Sequence, residues 1–347
     1  MTKTAVIVCP GRGTYNKSEL GYIHQNHVSC TELMSNFDKI RYFRDQQTIS
    51  ELDAAPAFNS GVHTRGDNAS ALIYAASYFD TKMIDSSYDV VAVTGNSMGW
   101  YTALAVSGAA TPTGAFEVVN TMGTLMQEHL IGGQTLYPFV DEDWREIPGK
   151  RAALLERIEE ITQKSDHTLA LSIDLGGMLV VAGNEAGLKA FEDQVAPVQG
   201  RYPMRLLNHA AFHTALQKPV AAAGRDALPE ELFRSPDIPL VDGAGSVWYP
   251  GAVMAADIRS YTLGAQVVTA YDFTAAIRVA ARTFAPDVFI IPGPGTTLGG
   301  AVAQALIGIN WRGMSSKAAF QERQKTDPVI LSMGRAEDRL RTTGGTV

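Results

Sequence analysis

The sequence predicts an α/β protein, a large part built on a parallel sheet with a smaller domain inserted into it. Three observations predict it. The β-branched run Ala5-Val6-Ile7-Val8-Cys9 ends in Pro10-Gly11-Arg12-Gly13, as a buried parallel strand does when it enters a glycine-rich loop. A second apolar strand over residues 88–94 runs into Gly95-Asn96-Ser97-Met98-Gly99 and then into an alanine- and leucine-rich helix to Val106. From residue 133 to 207 the order of elements becomes β-α-β-β-α-β, the split, ferredoxin-like pattern of a small inserted domain.

The glycine-rich loop after the first strand lies at a strand's C-terminal edge, where open α/β sheets place their sites. Residues 16–66 are polar and irregular apart from a helix over 30–43, and nothing in them assigns a role. An alanine-rich helix over 68–78, capped by Asp67 or Asn68, precedes the second strand, and another helix spans 113–130. In the inserted part, strands are expected over 135–139, 169–173, 178–182 and 202–207, and helices over 150–163 and 185–195. Helices over 215–223 and 272–284, a strand over 287–291, the turn Pro292-Gly293-Pro294-Gly295 and a helix over 297–307 complete the large part. The resulting division is 1–133 with 206–311 as the large subdomain, 134–205 as the small one and 312–347 as a C-terminal extension, read as a helix and a frayed tail.

Composition limits what such a protein can do. Its 347 residues suit roughly two domains, and 46% hydrophobic with 19% charged residues is an ordinary globular balance. A net charge of −7 without a basic stripe argues against a dedicated nucleic-acid binder. Two cysteines, Cys9 and Cys30, make no disulfide framework and suit a reducing compartment. The opening apolar run is too short for a signal-peptide core and no run approaches a bilayer span, so a cytoplasmic protein without a membrane role is expected.

Gly95-Asn96-Ser97-Met98-Gly99 sits where a strand meets a helix, the context of a nucleophile elbow. There the serine is exposed at a sharp turn and the Met98 N–H faces an oxyanion formed on an acyl group. The plain alternative is a turn whose serine caps the helix. A nucleophilic serine needs a base, and seven histidines compete: His24, His27, His63, His129, His167, His209 and His213. His213 lies just past the strand that leaves the inserted domain, at the junction where a cleft forms. His209 and His213 are four apart, as zinc ligands can be, but no glutamate and no third ligand accompany them, so no metal is expected.

The Pro-Gly-x-Gly loop, the GxSxG elbow, the Phe212-His213-Thr214-x-Leu216 segment past an inserted domain and Gly293-Pro294-Gly295 stand in one order. In type, order and spacing the chain resembles the malonyl-CoA:acyl carrier protein transacylase family, including the acyltransferase domains of polyketide and fatty acid synthases, over about residues 4–307. The resemblance implies an α/β-hydrolase-like core with a ferredoxin-like insertion. It implies Ser97 as nucleophile, His213 as base, the amides of Arg12 and Met98 as oxyanion hole, and the backbone carbonyl of Gln266 as the group orienting the histidine. Acyl-CoA and an acyl carrier protein are the implied partners, with no metal or redox cofactor. Where the family carries an arginine that forks onto a malonyl carboxylate, this chain has Met122. The change disfavours a carboxylated acyl group and makes Met122, with Phe212 and Asp174, a candidate acyl-pocket residue. Arg12 and Arg205 are the cations that could take the lost arginine's place. The resulting expectation is a ping-pong acyltransferase for a non-malonyl group. A thioester hydrolase on the same residues and a non-catalytic carrier-binding homologue are the alternatives. A conventional α/β-hydrolase would need an acid and a histidine late in the chain, yet the last histidine is His213.

Overall fold

The computed structural model describes residues 2–345. Its strands, in chain order, are β1 (Lys3–Cys9), β2 (Tyr88–Gly95), β3 (Gly133–Pro138), β4 (Leu169–Leu175), β5 (Met178–Gly183), β6 (Met204–Leu206), β7 (Leu240–Val241), β8 (Val247–Trp248), β9 (Tyr271–Asp272), β10 (Val288–Ile291) and β11 (Ile330–Ser332). They form two sheets, ordered β11-β10-β1-β2-β7-β8 and β6-β3-β5-β4-β9.

In the first sheet every pairing is parallel except β7 with β8. Ala5 to Cys9 of β1 are 0–2% exposed, as a strand covered on both faces must be. The helices Gly66–Thr81 and Pro112–His129 pack on one side of this sheet, in one apolar cluster with Ile7 and Val93; the helices Phe273–Phe284 and Leu298–Ile307 join Val6, Val8 and Phe289 in the other.

The inserted segment folds as β3, the helix Lys150–Thr162, β4, β5, the helix Glu185–Gln194 and β6. Its strand order β6-β3-β5-β4, antiparallel throughout, is that of a ferredoxin-like sheet. A fifth strand not foreseen in the sequence, β9, comes from the large part and pairs in parallel with β4, Ile173 opposite Tyr271 and Asp174 opposite Asp272. The large part of the chain therefore contributes a strand to the small sheet, and backbone hydrogen bonding adds to the covalent connections between the two parts.

The C-terminal extension departs from the expected helix and tail. It holds the helix Lys317–Thr326, the strand β11 that completes the edge of the large sheet, and the helix Ala336–Thr342. Arg339 on that last helix reaches the fully buried Asp80 at 2.6 Å. Asp80 also accepts from Tyr22 Oη (2.8 Å) and from the Gly293 N–H (2.6 Å), so one buried carboxylate fastens three remote segments. The end of the expected frayed tail, 346–347, lies outside the described residues.

Candidate active site

The site forms at the C-terminal ends of β1 and β2. The elbow is tight because its glycines leave no alternative: a Cβ on Gly99 would lie 2.1 Å from the Cys9 carbonyl oxygen, and one on Gly95 would lie 2.4 Å from the Gly99 backbone. Ser97 adopts φ +55°, the left-handed conformation of a strand-to-helix elbow, just before the helix Gly99–Val106.

His213 arrives from the far side of the cleft. Its Nε2 lies 2.7 Å from Ser97 Oγ and its Nδ1 lies 2.7 Å from the Gln266 carbonyl oxygen. A carbonyl can only accept, so Nδ1 carries the hydrogen and Nε2 presents its lone pair to the serine hydroxyl. Burial lowers the pKa of His213 to about 4, with the Gln266 carbonyl pulling weakly the other way. The imidazole is therefore neutral at physiological pH, the form a base requires.

Gln266, on the short helix Ala265–Val268, contributes its side chain as well as its backbone. Its Nε2 donates to the Ser97 carbonyl (3.1 Å) and its Oε1 accepts from Tyr101 Oη (3.2 Å). One residue thus touches both members of the serine–histidine pair. Tyr271 of β9 donates from Oη to the Gly95 carbonyl (2.7 Å), and its ring lies 5.2 Å from that of His213. Among the described residues the Arg12 and Met98 N–H groups make no backbone hydrogen bond. They flank the serine unspent.

These groups border a cavity of about 20 Å³, lined by Arg12, Ser97, Met98, Met126, Phe212 and Val267 among others. That is room for about one water molecule, so an acyl chain enters only as side chains move apart. The Arg12 guanidinium lies along this lining, 5.5 Å from the Phe212 ring centroid. Its Nη2 donates to the Thr64 carbonyl (2.8 Å) and the Asn208 carbonyl (3.0 Å), while Nε is buried without a partner. Desolvation lowers its pKa to about 10 against the opposing pull of Asp67. Larger depressions elsewhere, about 500 Å³ beside Met34 and about 650 Å³ beside Arg278, contain neither Ser97 nor His213. Chemistry, not volume, marks the site.

Two expected pocket residues lie outside this lining. Met122 is fully buried, and its sulfur packs where a Cβ on Gly224 would sit, 2.7 Å away, against the helix Lys218–Ala227. Asp174 lines the separate depression beside Arg278. Its Oδ2 accepts from Arg151 at 3.0 and 2.8 Å and its Oδ1 accepts from Thr274. Arg205 is held by Glu185 and Glu192 of the small subdomain, which raise its pKa. His209 hydrogen-bonds Gln134, so it and His213 do not converge on a common point. Among the described residues no group of three histidine, cysteine, aspartate or glutamate side chains is placed to hold a metal, and no helix is long and apolar enough to cross a membrane.

No family model matches the sequence, and no curated protein does. Solved structures match over nearly the whole chain. The acyl-carrier-protein S-malonyltransferase of Burkholderia pseudomallei superposes with a TM-score of 0.76 at 18% identity, over 99% of this chain and 100% of that one. The acyl-carrier-protein S-malonyltransferase of Bartonella henselae gives 0.74 at 20% identity, over 99% and 100%. The acyltransferase domain from the second module of the salinomycin polyketide synthase gives 0.71 at 19% identity, over 99% of this chain and 72% of that one. The chain has the α/β fold of these acyltransferases, a large core with a small subdomain.

Proposed function

We propose that the chain is a cytoplasmic serine acyltransferase that moves an acyl group from coenzyme A to the phosphopantetheine thiol of an acyl carrier protein. The observation that carries this reading is the hydrogen-bonded line Ser97 Oγ, His213 Nε2, His213 Nδ1, Gln266 carbonyl, with two free backbone N–H groups beside the serine. In the first half-reaction His213 takes the serine proton, Ser97 Oγ attacks the thioester carbon, and the N–H groups of Arg12 and Met98 hold the oxyanion. Collapse breaks the C–S bond, and coenzyme A leaves with the proton that His213 returns. In the second, the carrier thiol gives its proton to His213 and takes the acyl group by the reverse sequence. The site residues themselves require no metal or redox cofactor for these steps.

The acyl group we propose is one without a free carboxylate. Supporting this, Met98, Met126, Phe212 and Val267 make much of the lining apolar, while Met122, at the position the resemblance gives to a carboxylate-binding arginine, faces the core and not the cavity. Arg12 is the one arginine in that lining, and two backbone carbonyls already engage its Nη2. The test is competition among acetyl-, longer-chain and malonyl-CoA for Ser97, read by intact-mass spectrometry, with and without carrier protein. An uncharged acyl group should load about ten- to a hundredfold faster, the cost of about 1 to 3 kcal/mol for an unpaired carboxylate. Preferential malonyl loading would assign its carboxylate to Arg12, and release of the acyl group as the free acid at the same rate with or without carrier would make the protein a hydrolase.

A further inference from the structure

Resting on the Ser97–His213 assignment, we propose that the small subdomain positions the base through a directed hydrogen-bond relay, with Ser172 as its final positioning residue. His213 has φ +57°, a left-handed conformation that is strained for a non-glycine residue and persists only where surrounding contacts impose it. The Gln266 carbonyl fixes the ring. The peptide that precedes it is fixed separately, because Ser172 Oγ on β4 donates to the Phe212 carbonyl at 2.8 Å.

The rest of the relay follows by elimination. Ser172 gives its only hydrogen to that carbonyl, so it accepts from Gln134 Nε2 of β3 at 2.7 Å. The Gln134 amide oxygen then faces His209, whose Nδ1 lies 2.8 Å away and must carry the hydrogen. Burial and the charge of Arg12 both hold the His209 pKa well below its ordinary value, so the ring is neutral and Nδ1–H is its tautomer, as the Gln134 amide oxygen requires. Ser172 and Gln134 are 0% and 2% exposed, out of reach of bulk solvent. The relay leaves the chain at His209 and returns to it at Phe212. Two strands of the small sheet therefore clamp the segment that carries the base.

The experiment is steady-state acyl transfer by the full chain, with acyl-CoA concentration varied, for wild type, Ser172→Ala, Ser172→Thr and His209→Leu. Removing the final donor should lower kcat about ten- to a hundredfold with KM within about twofold, and threonine, which keeps the hydroxyl, should restore kcat to within about threefold. His209→Leu, at a half-buried position that spares the fold if Ser172→Ala does not, should lower kcat about three- to tenfold with KM unchanged. Wild-type kcat in Ser172→Ala or His209→Leu, or losses shared equally by the alanine and threonine variants, would overturn the relay. Normal turnover by Ser97→Ala or His213→Ala in the same assay would instead overturn the catalytic assignment on which it rests.

Discussion

The serine half and the histidine half of the site are held by different forces. Ser97 is fixed by backbone packed on backbone: Gly95 and Gly99 sit so close to their neighbours that no side chain fits, and the turn itself spans five consecutive residues, seated on the end of β1 at Cys9. His213 is fixed by hydrogen bonds from segments far off in the chain, the Gln266 carbonyl on one side and Ser172 on the other. A sterically built element is rigid and locally encoded. A hydrogen-bonded one is adjustable, and its parts are scattered through the sequence.

Breaking the pair itself has the largest expected effect. Ser97→Ala should abolish the acyl adduct seen by intact-mass spectrometry, and an adduct surviving on another residue would refute the assignment. His213→Ala should slow acylation on the order of 10⁴-fold or more, because nucleophile and base act as a unit. Rapid quench of the acylation step measures it.

The steric half breaks differently. Gly99→Ala drives a methyl group into the Cys9 carbonyl and should destabilise the fold by about 2–4 kcal/mol, seen as a lower urea midpoint, where loss of one hydrogen bond on the histidine side should lower it less, by about 1 kcal/mol. Met122→Arg, which places an unpaired guanidinium in the core, should cost about 3 kcal/mol or more by the same measurement and gain no malonyl activity. A stable, malonyl-loading Met122→Arg protein would show that the side chain swings into the cleft.

The adjustable half is probed by pH. Because His213 has a pKa of about 4 in the folded protein, below the ordinary 6.5, its neutral form and hence kcat/KM for acylation should hold from pH 8 down to near 5 and fall around 4. Folding stability has the same sign. The unfolded chain binds the proton first as pH drops below 6.5, so the contribution present above 6.5 is lost progressively down to about 4. An acid limb near 6.5 would show that the ring meets water. The smallest effect in this series is that of Gln266→Ala, which keeps the carbonyl but removes the side chain's two hydrogen bonds, to Ser97 and Tyr101; kcat should fall about tenfold.

The same contrast explains what the sequence disclosed. The elbow, the two long strands of the large sheet and the β-α-β-β-α-β order rest on local patterns, and they stand where the periodicity places them, with no end shifted by more than two residues. Strands β7, β8 and β9 have two residues each, too few to show alternation, and exist only because a neighbouring strand offers them hydrogen bonds. The Gln266 side chain, Tyr101 and Tyr271 carry no motif, since a hydrogen bond to a backbone carbonyl asks only for a donor within reach. Spacing alone placed Met122 and Asp174 near the cleft. Which way a side chain points from its helix or strand is decided by packing: Gly224 leaves the space that Met122 fills, and Arg151 and Thr274 take up the Asp174 carboxylate.

The pairing of β9 with β4 has a mechanical consequence. Tyr271 and Asp272 hang from the large core just ahead of the helix Phe273–Phe284, yet they are stitched edge to edge with Ile173 and Asp174 of the small sheet. A jaw that swung open as a rigid body would tear that seam and drag Tyr271 away from the Gly95 carbonyl, loosening the nucleophile's own turn. Substrate entry is therefore a matter of doors rather than jaws. The Arg12 side chain, latched onto the carbonyls of Thr64 and Asn208, lies in the cavity lining, and a change in its rotamer would open that lining with both sheets left where they are.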